Sequence, residues 1–297
     1  PTTRKPERGE ELDLRVDAIA FGGNGVARLQ LGERGYVVFV QGAIPGDRVR
    51  AVVTKRKRDY AEARTLEVLE PGPDRIAPVA DHPGAPWQIL PYERQLEIKQ
   101  EQVGDALRRL GRLDGFDLEP IVPATAQWRY RNKLEYSYGT GDDGELVCGF
   151  HAPGSWERIL HIDDCLLASE RGNELRRLAL AACREQGLGA YDRRTQVGFL
   201  RNLVVREGRR TGQEQVRLVT SPGDFDPEAF ASALGEVQSV IWTQAAGVGE
   251  TTQGGLDELV SGSPRIEEEV AGLRFALSRE AFFQTNTEMA EVLYGVA

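Results

Sequence analysis

Two short runs of cationic residues are the parts of this sequence best suited to contact a polyphosphate. The first run is Lys55, Arg56, Lys57 and Arg58, and the second is Arg129, Tyr130, Arg131, Asn132 and Lys133. Positive charge attracts a phosphate backbone within about 8–10 Å, and an interleaved amide can read the edge of a base. Both runs therefore predict contact with RNA. The alternatives are solvated loops for either run and an ion pair with a neighbouring acid for Arg131.

The overall charge is acidic, but it is unevenly distributed along the chain. The 297 residues carry a formal net charge of −9. The first 70 residues hold 13 Lys and Arg against 11 Asp and Glu, whereas the remainder holds 24 against 35. Because binding depends on local charge, this balance predicts modest non-specific affinity for RNA, concentrated in the N-terminal part.

Cysteine usage and hydropathy place the chain among ordinary globular proteins. The three cysteines, Cys148, Cys165 and Cys183, are an odd and sparse set, which argues against a disulfide framework. No run reaches the roughly 18 apolar residues of a membrane span, and the first ten residues lack the apolar core of a secretory signal. We therefore expect a cytoplasmic protein with no membrane partner.

The spacing of apolar residues predicts the strands and helices that carry the cationic runs. Short β-rich pieces in residues 12–70, separated by glycine-containing turns at 22–25, 32–35 and 45–47, predict a small closed barrel of the oligonucleotide-binding kind. Farther along, a helix is predicted over 92–113 and a hairpin over 133–150. The fold class is thus mixed α+β with several domains.

The last residues show a clean helical stripe. Thr285 to Glu288 fits a capping box, and Met289, Val292, Leu293 and Val296 then recur at helical spacing. An apolar helix face needs a surface to be buried against. Either the helix docks on the preceding domain or the chain is cut short.

Three groups of motifs resemble the RNA (uracil-5-)-methyltransferase family. The first group resembles its TRAM domain, an RNA-binding barrel, and comprises residues 20–28, 38–40 and 42–47. The second resembles its central domain and comprises 130–133, 149–151, 161–165 and 200–206. The third, residues 281–286, resembles the segment that leads into the catalytic domain. The domains implied are a TRAM-like barrel over 8–70 and a central α+β domain over 71–90 and 120–262. Segments 91–119 and 263–297 are expected to pack with a Rossmann-like methyltransferase domain, of which the chain holds only the start.

The resemblance implies S-adenosylmethionine as cofactor and a ribosomal (23S) or transfer RNA as substrate. Gln284 is the residue expected to touch the cofactor, with a helix-capping amide as the alternative. The expected RNA contacts are Arg28, Lys55, Arg56, Lys57, Arg58, Arg129, Arg131, Asn132 and Lys133. A catalytic cysteine and a carboxylate base lie beyond this segment in the family, so no catalytic residue is expected in this chain. The alternative function is a stand-alone RNA-binding protein of the TRAM type, and no protein partner is implied.

Two further patterns weigh against additional cofactor sites. Many family members bind an iron–sulfur cluster through four cysteines, but residues 80–88 contain no cysteine and Cys165 alone stands at a matching position. We therefore expect no cluster and no other metal, with Cys165 as a small buried apolar residue. The glycine pair Gly247 and Gly249 follows a strand but lacks the acidic residue and helix of a cofactor loop, so it is interpreted as a turn of the central domain.

Overall fold

The computed structural model describes residues 4–31, 34–80, 82–249, 252 and 254–297. Part of the turn predicted at 32–35, and Asp81, lie outside this set. The chain divides into two compact units, one formed by 1–81 with 85–123 and the other by 82–84 with 124–297. The domain boundaries expected from the sequence remain a prediction.

The first unit contains a closed five-stranded barrel, as predicted. Its strands are β1 (Glu11–Ile19), β2 (Gly25–Leu31), β3 (Arg34–Gln41), β4 (Arg48–Arg56) and β5 (Tyr60–Glu70), in the order β1-β2-β3-β5-β4. The β3–β5 pair is parallel and the other pairs are antiparallel. Alternate residues point inward, such as Leu12, Leu14 and Val16 of β1, so the strand period of two fills the core.

A buried carboxylate, that of Asp47, connects the turn before β4 to the segment after β5. Asp47 is fully buried and accepts backbone N–H bonds from Ile44 and Gly72, both at 2.8 Å. The guanidinium of Arg75 lies 2.6 Å from the same carboxylate. Burial alone would raise the pKa of Asp47, but the Arg75 hydrogen bonds and the two N–H groups offset it, so the pKa lies below its ordinary value. This residue therefore joins the turn before β4 to the segment that leaves the barrel.

Helix α1 (Tyr92–Asp105) continues through a π-helical turn, Ala106–Leu110. The helix predicted over 92–113 therefore forms as far as Leu110. The apolar residues that recur along it, Leu96, Val103, Leu107 and Leu110, are not its buried face. Ile98 and Gly104 are buried, whereas Val103 and Leu110 are exposed. Periodicity identified the helix correctly, although it did not identify the side that packs within this unit.

The second unit is built on a seven-stranded sheet. Its strands are β6 (Lys133–Thr140), β7 (Leu146–His151), β8 (Ile159–His161), β9 (Leu200–Gly208), β10 (Gln213–Thr220), β11 (Ser239–Gln244) and β12 (Leu256–Gly262). They are ordered β12-β11-β10-β9-β6-β7-β8, and within this sheet only the β10–β11 pair is parallel. The β6–β7 pair confirms the predicted hairpin. Helices α2 (Glu170–Glu185) and α3 (Pro227–Ala233) contribute Leu175, Ala179 and Phe230 to the core of this unit.

A hairpin and a final helix complete the second unit. Strands β13 (Arg265–Val270) and β14 (Leu273–Ser278) pair with each other, and α4 spans Thr287–Val296. The cap of α4 is Asn286, whose side chain accepts a hydrogen bond from the Met289 N–H, so the capping box predicted to begin at Thr285 is wrong by one residue. Thr287 and Ala290 are its buried residues, and Leu293 and Val296 remain exposed. No helix in the described ranges is long and apolar enough to span a membrane.

Candidate RNA-binding surface

The first cationic run forms an exposed tip on the barrel. Lys55 and Arg56 end β4, while Lys57 and Arg58 lie in the turn before β5, and all four are exposed. Lys55 is 3.2 Å from Glu62, but both side chains are more than one third exposed, so this ion pair neutralises little. Four cations are thus presented to solvent within a single hairpin.

Hydrogen bonds fix the backbone of that hairpin. The hydroxyl of Tyr36 donates toward the carbonyl oxygens of Lys57 and Tyr60, at 2.9 and 2.6 Å. The Lys57 N–H also donates to the Tyr60 carbonyl at 2.8 Å. Because the turn is fixed by these bonds, ordering it on a ligand costs less entropy than ordering a free loop.

A second exposed feature of the same unit is the glycine turn between β1 and β2. Gly22 and Gly23 have φ angles of 95° and 94°, and a Cβ on Gly23 would lie 2.4 Å from the indole nitrogen of Trp87, so glycine is required there. Phe21 is 94% exposed beside this turn, although it was not singled out from the sequence. Arg28 is also exposed and pairs with Asp17 at 3.2 Å.

The second cationic run has a different environment. The Arg129 guanidinium contacts the Asp164 carboxylate at 2.7 and 3.1 Å and donates to the Ala168 carbonyl. Lys133 pairs with Glu135. Arg131 is half-buried, and its Nε lacks a hydrogen-bond partner within the residues that the structure describes.

Asn132 is the centre of this second run and is only 3% exposed. Its Nδ2 donates to the Gln284 carbonyl at 2.8 Å and to the Thr287 hydroxyl at 2.9 Å. Two residues predicted for separate sites, Asn132 for RNA and Gln284 for the cofactor, are thus in contact. In this arrangement both amide protons of Asn132 are used to hold the segment before α4, and base recognition by Asn132 remains an untested prediction.

The same network contains a buried acid that sequence reasoning missed. Glu268 on β13 is fully buried and accepts N–H bonds from Arg209 and Arg210 at 2.9 and 3.0 Å, and from Glu269 at 2.9 Å. The Thr287 hydroxyl donates to it at 2.9 Å. Glu268 therefore links the β9–β10 turn, the β13–β14 hairpin and the start of α4, which positions Asn132 and Gln284.

The three cysteines are all buried, and the thiols of two of them are poor nucleophiles. Burial raises the pKa of Cys148 to about 12 and that of Cys183 to about 11, so both thiols stay protonated at neutral pH. Cys165 is fully buried, as expected, but it is not in purely apolar surroundings, because its Sγ lies 3.2 Å from Nε2 of His82. No group of three or more potential metal ligands occurs within the described part of the chain, and the expectation of no cluster remains a prediction.

The turn at Gly247 and Gly249 does not have the geometry of a cofactor-binding glycine loop. The carbonyl oxygens of Gly247 and Gly249 accept bonds from the Arg201 guanidinium at 2.6 and 3.2 Å, so this turn surrounds a cation. The next element of the chain is β12, which pairs antiparallel with β11. In a nucleotide-binding unit the glycine loop is instead followed by a helix, whose N-terminus faces the phosphates. Gln284, which is half-buried, remains the single residue proposed to touch the cofactor.

Comparison with known proteins agrees with this geometry. Residues 5–66 match the TRAM domain family. A Clostridium tetani protein named as an uncharacterized RNA methyltransferase is 34% identical over 97% of this chain and 65% of its own length. A Chlorobaculum tepidum protein of the same name is 35% identical over 88% of this chain and 59% of its own length. Residues 5–66 thus form a TRAM domain, and the chain as a whole is similar to proteins named as RNA methyltransferases.

The fold of the chain also has a solved counterpart. The Pyrococcus abyssi tRNA (uracil-54, C5)-methyltransferase, in complex with S-adenosyl-L-homocysteine, superimposes with a TM-score of 0.76 at 22% identity. The match covers 96% of this chain and 64% of that one. The chain spans about two thirds or less of the length of its relatives, and the predicted lack of a catalytic segment stays a prediction.

Proposed function

We propose that the chain is the RNA-holding part of an RNA uridine C5-methyltransferase that uses S-adenosylmethionine. The observation that carries this proposal is the exposed run at residues 55–58 on a barrel of the TRAM family. Four cations held on a fixed hairpin neutralise phosphates without reading sequence, which suits positioning of an RNA. The name of the Pyrococcus relative and its bound product support the uracil and cofactor assignments.

Methyl transfer to uracil C5 replaces the hydrogen on that carbon, which gives a direct test. The experiment incubates the native-length gene product with RNA labelled with tritium at C5 of uridine and with S-adenosylmethionine. We expect tritium to be released in step with methyl incorporation into ribosomal or transfer RNA. Methyl incorporation without tritium release would contradict the uracil C5 assignment.

A second candidate function is RNA binding without methylation. One observation favours it: the turn at Gly247 and Gly249 surrounds the Arg201 guanidinium, and burial raises the pKa of the Cys148 and Cys183 thiols. Under this alternative the native-length product binds RNA but releases no tritium and does not incorporate a methyl group. The same assay, combined with an RNA-binding measurement, therefore separates the two functions.

A further inference from the structure

A cavity of about 220 Å³ lies in the second unit. It is lined by the end of β6 at Thr140, by Trp156 between β7 and β8, and by the segment from Tyr191 to Arg194. Its volume is below the roughly 300–1,000 Å³ of sites for drug-sized ligands. A single ring system is the size of ligand that fits.

Two residues that line the cavity, Arg201 and Tyr191, stack on each other. The Arg201 guanidinium lies 3.9 Å from the centre of the Tyr191 ring. Arg201 is itself 5% exposed and is held by Ser221 at 3.1 Å and by the Gly247 carbonyl at 2.6 Å. A ring supported by an immobilised cation is a stable surface for stacking.

The mouth of the cavity has a second pair of the same kind, but an exposed one. Trp156 is 55% exposed, and the Arg193 guanidinium lies 5.5 Å from its ring centre. The indole of Trp156 is therefore accessible to a ligand at the cavity. Unstacked RNA bases are recognised by stacking on aromatic rings and on guanidinium planes, and both are present here.

The charge around the mouth suits a phosphate. Three arginines and two acidic side chains line the cavity, and Arg194 is exposed. One of the acids, Asp192, accepts the backbone N–H bonds of Arg194 and Thr195 at 2.7 and 3.3 Å, which lower its pKa. Its ionised carboxylate is thus held at its own turn, and Arg193 and Arg194 are the lining cations that follow it in the chain.

We infer that this cavity binds one unstacked nucleotide of a single-stranded RNA segment. The base stacks against Trp156 and Tyr191, and its phosphate lies against Arg193 and Arg194. This inference rests on the proposed function, because it assigns a specific contact to the RNA that the barrel holds. A free nucleoside monophosphate has the same chemistry and is the competing source of the ligand.

Two variants and two matched controls test the site in the 297-residue chain. Trp156→Ala removes the exposed indole, and Tyr294→Ala removes an equally exposed ring, 54%, on α4. Arg194→Ala removes the cation at the mouth, and Arg177→Ala removes an exposed arginine of α2. Affinity for a short uridine-containing single-stranded RNA is measured by fluorescence anisotropy, with thermal melts to show that each variant is folded. We expect Trp156→Ala to weaken binding about fivefold or more and the two controls to leave it unchanged.

Crosslinking provides an independent measurement of the same contact. RNA carrying 4-thiouridine should crosslink to peptides that contain Trp156 or residues 191–194. If Trp156→Ala and Arg194→Ala bind like the parent and all crosslinks fall elsewhere, the inference is wrong. If uridine 5′-monophosphate binds the cavity and the RNA does not displace it, the assignment to RNA is wrong.

Failure of this inference can be distinguished from failure of the proposed function. A parent chain that binds RNA and loses affinity on removal of the 55–58 run, but is insensitive to Trp156→Ala, overturns only the cavity assignment. A parent chain with no affinity for RNA at low salt overturns both.

Discussion

The two cationic runs are alike in the sequence and unlike in the structure. Residues 55–58 extend from the barrel as an exposed tip with one weak ion pair. In the second run, Arg129 is bound to Asp164, and Asn132 is buried against the segment before α4. Charge density alone therefore does not identify a phosphate-binding surface, because a cation that already has a buried or fixed partner attracts phosphate weakly. The first run is exposed on one hairpin, whereas Arg129 and Asn132 of the second run are engaged within the protein, and RNA binding by either run remains a prediction.

The largest expected effect tests what stabilises the barrel that carries the first run. Asp47→Asn removes a fully buried charge from Arg75, so we expect unit 1 to lose about 3 kcal/mol of unfolding free energy at neutral pH. Denaturant titration of the chain measures it. The control Asp17→Asn affects an exposed pair and should leave stability nearly unchanged.

The pH dependence of that effect has a definite sign. The folded pKa of Asp47 lies below its ordinary value, so its contribution is fully present above the unfolded pKa, near 3.9. The contribution is lost as the pH falls through the lower, folded pKa. The stability difference between parent and Asp47→Asn should therefore shrink in strongly acidic solution. A difference that grows as the pH falls would contradict this account.

A slightly smaller effect is expected in the network that supports the second run. Glu268→Gln replaces an acceptor of three backbone N–H bonds and one hydroxyl bond with an amide, and we expect a loss of about 2–3 kcal/mol in unit 2. Glu267→Gln, at a half-exposed neighbouring position, is the matched control. Hydrogen exchange should show faster opening of α4 in Glu268→Gln only. Equal protection of α4 in both variants would argue against the network.

Asn132→Ala should lower the free energy of unfolding by about 1–2 kcal/mol, the smallest of the three stability effects. The variant loses two buried hydrogen bonds, to Gln284 and Thr287. Melting and RNA affinity are to be measured on the same preparation. We expect the melting temperature to fall and the affinity of the folded protein to change little. Unchanged stability with reduced affinity for preferred RNA sequences would restore the role in base recognition expected from the sequence.

Local patterns predicted the fold better than they predicted the site. The barrel, the β6–β7 hairpin and helix α1 follow from alternation, turn residues and helical period, which neighbouring residues encode. The burial of Asn132 depends on Gln284 and Thr287, 152 and 155 residues away, so no local signal reveals it. The cavity beside Trp156 likewise combines separate segments. The exposed apolar residues of α1 and α4 show the same limit, because periodicity does not specify which surface covers a stripe.

The salt dependence of RNA binding tests the contrast between the two runs most directly. Affinity for a single-stranded RNA is measured over a range of salt concentrations for the parent, for the variant with Lys55, Arg56, Lys57 and Arg58 all changed to alanine, and for Arg129→Ala. Each phosphate contact contributes about 0.7 to the slope of log affinity against log salt. We predict that the quadruple variant loses up to about 3 from this slope and that Arg129→Ala keeps the parent value. A parent-like slope in the quadruple variant, with a reduced slope in Arg129→Ala, would contradict the account.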